Sequence, residues 1–232
     1  MSKNKQNKEE KEERINLLEA KVADLQSQVE FLASMWSATL EAQIADLQNK
    51  VDGTNIKYRT LFDVAFATMA NAKFAEYLKK VDDYNIYFEL LPQITRRYLV
   101  ILTVKDTPGE HMPKAVLKAI IDSRFSGFRT NLWRTYVGII AQDKVICNKY
   151  AEGEQKCFYT YNSMGGDLSI MASSEPWRNG NKTDIIINDK NYALNHRGVN
   201  IVVYDLNDKK VIDRVSFDSH VKGQYIFRRG ID

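Results

Sequence analysis

The chain has 232 residues, enough for one medium domain with an appendage or for two small domains. Its 44% hydrophobic and 11% aromatic content suit a packed core, and a net charge of +3 is too small to point to nucleic acid or a membrane surface. Two cysteines, Cys147 and Cys157, are too few for a disulfide framework and lack metal-ligand spacing, so they read as free thiols.

The first fourteen residues, Met1 to Arg14, are charged or polar almost throughout. They hold no apolar core region, so no secretory signal is expected, and no apolar run reaches the ~20 residues that span a bilayer. On this reading the protein is cytoplasmic, unless it is exported within a larger particle.

Beyond that solvated start a periodic pattern begins. Ile15, Leu18, Val22, Leu25, Val29, Leu32 and Trp36 are spaced alternately by three and four, which is a heptad seam. From Trp36 through Leu40, Ile44, Leu47 and Val51 an extra four-residue step appears, a stutter that locally unwinds a supercoil. Neither Gly nor Pro interrupts residues 2–52, and Asp52-Gly53-Thr54 supplies the stop. The pattern predicts a coiled-coil stalk over residues 1–53, its helix reaching roughly 60 Å. So narrow a seam needs another helix, and residues 15–51 are expected to form a homo-oligomer. β-Branched residues at one core position and Leu at the other favour a parallel dimer, and Trp36 with the stutter leaves a trimer open. Folding back on residues 60–80 is the alternative.

Residues 54–97 read as a connecting helical segment. Leu61, Phe62, Val64, Phe66, Met69, Phe74, Tyr77 and Leu78 make residues 60–81 apolar around much of the helix, the mark of a helix buried against a domain or in an oligomer. A polar break at Asp82-Asp83-Tyr84-Asn85 precedes a short segment expected to end at Pro92.

From Tyr98 the period changes to that of strands. Residues 98–104 form a nearly continuous apolar run, as in a strand buried on both faces, and Lys105-Asp106-Thr107-Pro108-Gly109 is a polar loop at its end. Pro113 opens a helix whose apolar face is Val116, Leu117, Ile120 and Ile121. Strands follow at 133–141 and 144–150 around Gln142-Asp143, at 157–161 and 168–172, at 184–187 and 190–193 around Asn188-Asp189, and at 199–204 and 211–217. About nine strands and one helix make residues 98–232 an α+β domain, expected as a mixed, mainly antiparallel β-sandwich with flanking helices.

Catalytic signatures are missing. There is no G-x-G-x-x-G, P-loop, G-x-S-x-G or H-E-x-x-H. His111, His196 and His220 lack ligand spacing, so no metal is expected, and no cofactor. Asp205 and Asp208 are read as turn residues. No carboxylate pair is placed by spacing for acid–base work, and the chain is not expected to be an enzyme.

Two blocks carry a resemblance. One is N-x-R-G-x-N-I-V-V-Y-D, Asn195 to Asp205, followed by V-I-D-x-V-x-F-D ending at Asp218. The other runs from Leu102-Thr103-Val104-Lys105-Asp106 through Phe128 to Trp133-Arg134-Thr135-Tyr136-Val137-Gly138. Together they resemble the interleukin-like EMT inducer family, or GG domain, over roughly residues 98–220. The two halves stand in the reverse of the order in animal members, so the chain resembles a circular permutation, as in bacterial proteins linked to surface-polysaccharide synthesis and often found beside glycosyltransferase domains. The disulfides of secreted members have no counterpart in Cys147 and Cys157.

The resemblance implies a small β-sandwich, and one family member, the stem domain of protein O-mannose N-acetylglucosaminyltransferase, binds sugar. Carried over by motif, the sugar-binding positions are Lys105 and Asp106 in the [KR]-D loop and Asp218 closing the F-D strand. Sugar binding would also call for an aromatic platform, for which Trp133, Trp177 and Tyr136 are the candidates. A carboxylate and an ammonium suit sugar hydroxyls; the simpler alternative is a surface Lys105–Asp218 ion pair. The function expected is a non-catalytic carbohydrate-binding or protein-interaction module, oligomerised by its coiled coil, with a glycan or glycosyltransferase as partner and neither nucleic acid nor membrane. A structural connector of a phage tail fibre or similar assembly is the alternative.

Overall fold

The computed structural model describes residues 21–22, 25–27, 29–30, 69–131 and 133–230. They belong to two units, Met1–Ala65 and Phe66–Asp232. In the first, the described residues are helical, and Val22, Leu25 and Val29 of the expected seam are more than half exposed. Ile15, Leu18, Leu32, Trp36, the stutter through Val51 and the Asp52-Gly53-Thr54 stop lie outside the described residues, as do residues 60–68.

The second unit runs α1 (Asn71–Leu78), α2 (Tyr84–Arg97), β1 (Leu99–Lys105), α3 (Lys114–Asp122), β2 (Thr135–Ala141), β3 (Lys144–Ala151), β4 (Cys157–Asn162), β5 (Ser169–Ser174), β6 (Thr183–Ile187), β7 (Lys190–Asn191), β8 (Gly198–Asp205), β9 (Lys210–Val221) and β10 (Gln224–Arg229). The strands form two sheets, one of six in the order β10-β9-β8-β1-β2-β3 and one of four in the order β4-β5-β6-β7. This is an α+β architecture. The sheets are not mixed as expected: every pairing among the described residues is antiparallel. Tight turns explain most of it, because a hairpin reverses the chain. At Gln142-Asp143 and at Asn188-Asp189 both residues have positive φ, the conformation that matches the twist of the flanking strands.

β1 sits at the centre of the larger sheet, and Leu99, Val100, Ile101, Leu102 and Val104 are inaccessible to solvent. Side chains alternate across a strand, so this run needs a layer on each side. On one side Leu99 and Ile101, with Val137, Ile139 and Val202, pack on Ile170, Ala172, Ile185 and Ile187 of the smaller sheet. There Thr183 Oγ1 donates to Ser173 O at 2.7 Å and accepts from Thr103 Oγ1 at 2.6 Å, satisfying both buried hydroxyls. On the other side lies α2, against β1 and β2. Its Phe88 meets Phe217 of β9 edge to face, with ring centres 5.2 Å apart, and Tyr84 stacks on the same ring at 5.0 Å.

The Asp83 carboxylate caps α2, accepting from the Asn85 and Ile86 amides. The helix does not end at Pro92 but runs on to Arg97. An internal proline costs about 3 kcal/mol, and burial of Leu90, Leu91 and Ile94, each inaccessible, outweighs it at roughly 1.5–3 kcal/mol apiece. The far end of the helix is also held, since the Asp143 amide in the β2–β3 turn donates to Thr95 O at 2.8 Å.

α1 and α2 pack within the same unit as the sheets. Phe74 and Leu78 of α1 are fully buried. Arg97 donates to Met69 O and Asn71 Oδ1 and lies 4.7 Å over the Phe74 ring, while the Tyr98 hydroxyl donates to Asn71 O. A strand missed by the sequence reading, β10, closes the outer edge of the larger sheet. Gln224, Ile226 and Arg228 are its exposed side chains, and its register with β9 slips between Gln224 and Ile226.

β10 is fastened by Arg229. Its Nε lies 2.9 Å from Asp213 Oδ1, its Nη2 donates to Oδ2 at 3.1 Å, and its Nη1 donates to Lys79 O. Burial raises the Asp213 carboxyl to about 6, against the pull of Arg229. The folded chain therefore holds this proton at a pH where the unfolded chain, near 3.9, has lost it. Stability from this group is fully present below the unfolded value and is lost as pH rises through about 6. In urea titrations, the stability of the wild type minus that of Asp213→Asn should grow by up to about 3 kcal/mol between pH 7 and pH 4. A difference that shrinks over that range would contradict the raised carboxyl.

Candidate functional site

The end of β1 meets the start of β8. Lys105 is in register with Gly198, and the next pair along β8 is Val199 with Phe217 of β9. Gly198 has φ +89, and a Cβ there would stand 2.3 Å from Phe217 O and 3.1 Å from Asp218 Cα. Only glycine fits so close a strand approach at positive φ. Lys105 and Asp218 thus lie on opposite sides of β8, with no side chain between them at position 198.

The expected Lys105–Asp218 pair does not form. Asp218 is 6% exposed; its Oδ2 accepts from Arg197 Nε at 2.9 Å, and Arg197 Nη2 lies 2.9 Å from the same oxygen. Its Oδ1 accepts from the His220 amide at 3.0 Å. Arg197 takes the carboxylate because it immediately precedes Gly198, beside β9, whereas Lys105 is one strand further away. The Lys105 ammonium instead donates to Asn195 O at 3.0 Å. The Arg197 side chain is 39% exposed, so solvent screens the pair, which orients the guanidinium more than it stabilises the fold.

Asp106 is the centre of the arrangement. It takes φ +69 and its amide donates to Glu175 O at 3.2 Å. Burial raises its carboxyl most; Arg197, His220 and Lys105 pull it down, and Asp218 pushes it up. Among the described residues no hydrogen bond reaches its carboxyl oxygens, and His220 Nδ1, buried, has no hydrogen-bond partner. Two carboxylates, an ammonium, a guanidinium and an imidazole therefore share one end of the larger sheet.

The 195–197 turn covering this end is tied down. The Asn200 side chain donates to His196 O at 2.7 Å and accepts from the His196 amide at 3.2 Å. His196 Nδ1 lies 2.9 Å from Ser216 Oγ. Burial, then Arg228 and Lys105, hold the His196 imidazole below its ordinary range, favouring the neutral ring. The rim of the site is hydrogen-bonded, Lys105 has ammonium protons beyond the one given to Asn195 O, and Asp106 is an open acceptor among the described residues.

Of the expected site residues, Lys105, Asp106 and Asp218 come together. Trp133 has a different neighbour: at φ +54 and 41% exposed, it lies under the Arg178 guanidinium, 5.6 Å from its ring centre. Trp177 is exposed. Tyr136 is no platform, because it is buried, meets Phe128 edge to face and donates its hydroxyl to Asn148 Oδ1. Arg197 and His220 were not among the expected site residues, although Arg197 lies in the R-G motif and His220 was set aside for lack of ligand spacing. The two-residue spacing of Asp218 and His220 on a strand puts them on one face, whereas Arg197 comes beside Asp218 through a β8–β9 register that slips between Val203 and Tyr204 and so cannot be counted along the sequence. Asp205 is a turn residue as read, its Oδ1 accepting from the Asn207 and Asp208 amides.

No family model matches the chain, and no curated protein or solved structure matches it significantly.

Gly198→Ala should cost at least about 2 kcal/mol of stability through backbone overlap and an unfavourable φ. Gly153→Ala and Gly166→Ala also place a side chain at positive φ, but nothing lies within 4 Å of their Cβ positions. They should cost about 1 kcal/mol from the conformation alone. Equal urea midpoints for the three variants would remove the steric account of Gly198.

Proposed function

We propose that this protein is a non-catalytic carbohydrate-binding or protein-interaction module of the GG-domain type, in permuted order. Its N-terminal seam makes it a homo-oligomer, a parallel dimer with a trimer as alternative. Its place is in surface-polysaccharide synthesis or beside a glycosyltransferase. The observation that carries the proposal is the gathering of Lys105, Asp106 and Asp218 around one strand end, with the Asp106 carboxyl free of hydrogen bonds among the described residues. A donor and an acceptor held side by side fit the adjacent hydroxyls of a sugar ring. A single shallow site binds weakly, and joining copies through the stalk converts weak binding into avidity.

The sugar reading is tested on a glycan array with the full chain, followed by titration calorimetry of a bound glycan. Lys105→Ala and Asp106→Asn, both partly exposed positions, should each lower affinity by about tenfold or more, as expected for lost charge-assisted hydrogen bonds. Because the Asp106 carboxyl accepts most strongly when ionised, and is raised, binding should weaken on acidification above the ordinary carboxylate range. No glycan bound, or both variants binding as the wild type does, removes the sugar reading and favours the phage-type connector. That alternative uses the same exposed Val22, Leu25 and Val29 for assembly and leaves the charged cluster idle.

The oligomer is tested separately. Leu25→Lys places a charge in the seam and should turn an oligomeric wild-type chain into a monomer in sedimentation equilibrium. A wild-type chain that sediments as a monomer at high concentration overturns the stalk.

A further inference from the structure

Cys147 and Cys157, far from the charged cluster in role, are brought together by the fold. β3 is an edge of the larger sheet and β4 an edge of the smaller, and the two strands are in contact. Both cysteines are 4% exposed and belong to the core between the sheets. Cys147 Sγ lies 3.5 Å from Val137 O, and Cys157 Sγ lies 3.5 Å from Lys149 O. Val137 and Lys149 are direct cross-strand partners in β2 and β3. The two thiols therefore sit over a single rung of the ladder, one from each sheet.

We propose that Cys147 and Cys157 are a disulfide site, whose oxidised form clips the edge of one sheet to the edge of the other. The co-reactant is a small-molecule disulfide. One cysteine thiolate attacks a sulfur of that disulfide, forming a mixed disulfide and releasing one small thiolate. The other cysteine thiolate attacks the protein sulfur of the mixed disulfide, closing the bridge and releasing the second small thiolate. The two protons given up by the cysteines end on the two released thiols. The protein loses two electrons and two protons, and the small disulfide gains them.

Burial governs how the site would react. The Cys147 thiol is pushed up to about 11, by burial first and by Cys157 second, and burial raises Cys157 as well. Thiolate is scarce at neutral pH, and the sulfurs are out of reach while the sheets are closed. Oxidation then proceeds through parting of the β3–β4 edge, whose connecting residues 152–156 are exposed. The site is a slow staple, set during folding or on opening, and not a fast sensor.

The test exposes the full chain to oxidised glutathione, once folded and once during refolding from urea, followed by intact mass and non-reducing peptide mapping. The expected product has lost two hydrogens and contains a Cys147–Cys157 cross-linked peptide. In the folded chain its rate should rise about tenfold per pH unit below the thiol range. Cys157→Ser should instead stop at a glutathione adduct on Cys147. The bridged chain should melt about 5–10 °C above the reduced one, as for a short loop closed without strain. Two free thiols after refolding, glutathione adducts without a bridge in the wild type, or a bridge that lowers the melting temperature would each overturn the proposal.

Discussion

The unit from Phe66 onward depends on a strand with no solvent face. Leu99 to Val104 can be dry on both sides only if something packs on each, so one sheet demands a second sheet below and helices above. At roughly 1.5–3 kcal/mol for each large apolar side chain, β1 alone accounts for a considerable part of the burial that holds the layers together. That demand also explains why α2 tolerates Pro92. Ending the helix there would uncover Ile94 and leave the upper face of β1 and β2 partly bare.

The charged cluster arises where this dry strand runs out. At Lys105 the burial pattern breaks, and at Asp106 the backbone turns left-handed, so two charged side chains emerge together at the mouth of the sheet. β8 arrives there with Arg197-Gly198, and β9 contributes Asp218 and His220. Glycine at 198 lets the strands close up, and the guanidinium before it holds the carboxylate. The core thus sets the position of the polar groups, and their mutual charges set their orientation.

Much of this was readable in the sequence. The unbroken run at 98–104 marked the central strand, and the Gln142-Asp143 and Asn188-Asp189 pairs marked turns that form with positive φ at both residues. The charges at Lys105, Asp106 and Asp218 were also picked out. What could not be read was pairing across the chain: that Arg197 rather than Lys105 would take Asp218 follows from register, which only the folded sheet supplies. Tyr136 had the composition of a binding aromatic and the position of a core one. β10 escaped because its Gln-Tyr-Ile-Phe-Arg-Arg sequence mixes charge with apolar residues, as an edge strand does. Helix α2 was cut short because local proline chemistry was given more weight than the burial that overrides it.

That last strand has a consequence for how copies of the chain can meet. An edge strand offers unpaired amides and carbonyls to any other strand that arrives, and long flat edges invite sheets to join into larger assemblies. β10 is short, its ladder is displaced between Gln224 and Ile226, and it ends in Arg228 and Arg229. A second copy approaching this edge would find a displaced ladder and the exposed Arg228 side chain, Arg229 being turned inward onto Asp213. At this one border, strand-to-strand joining of copies is therefore disfavoured.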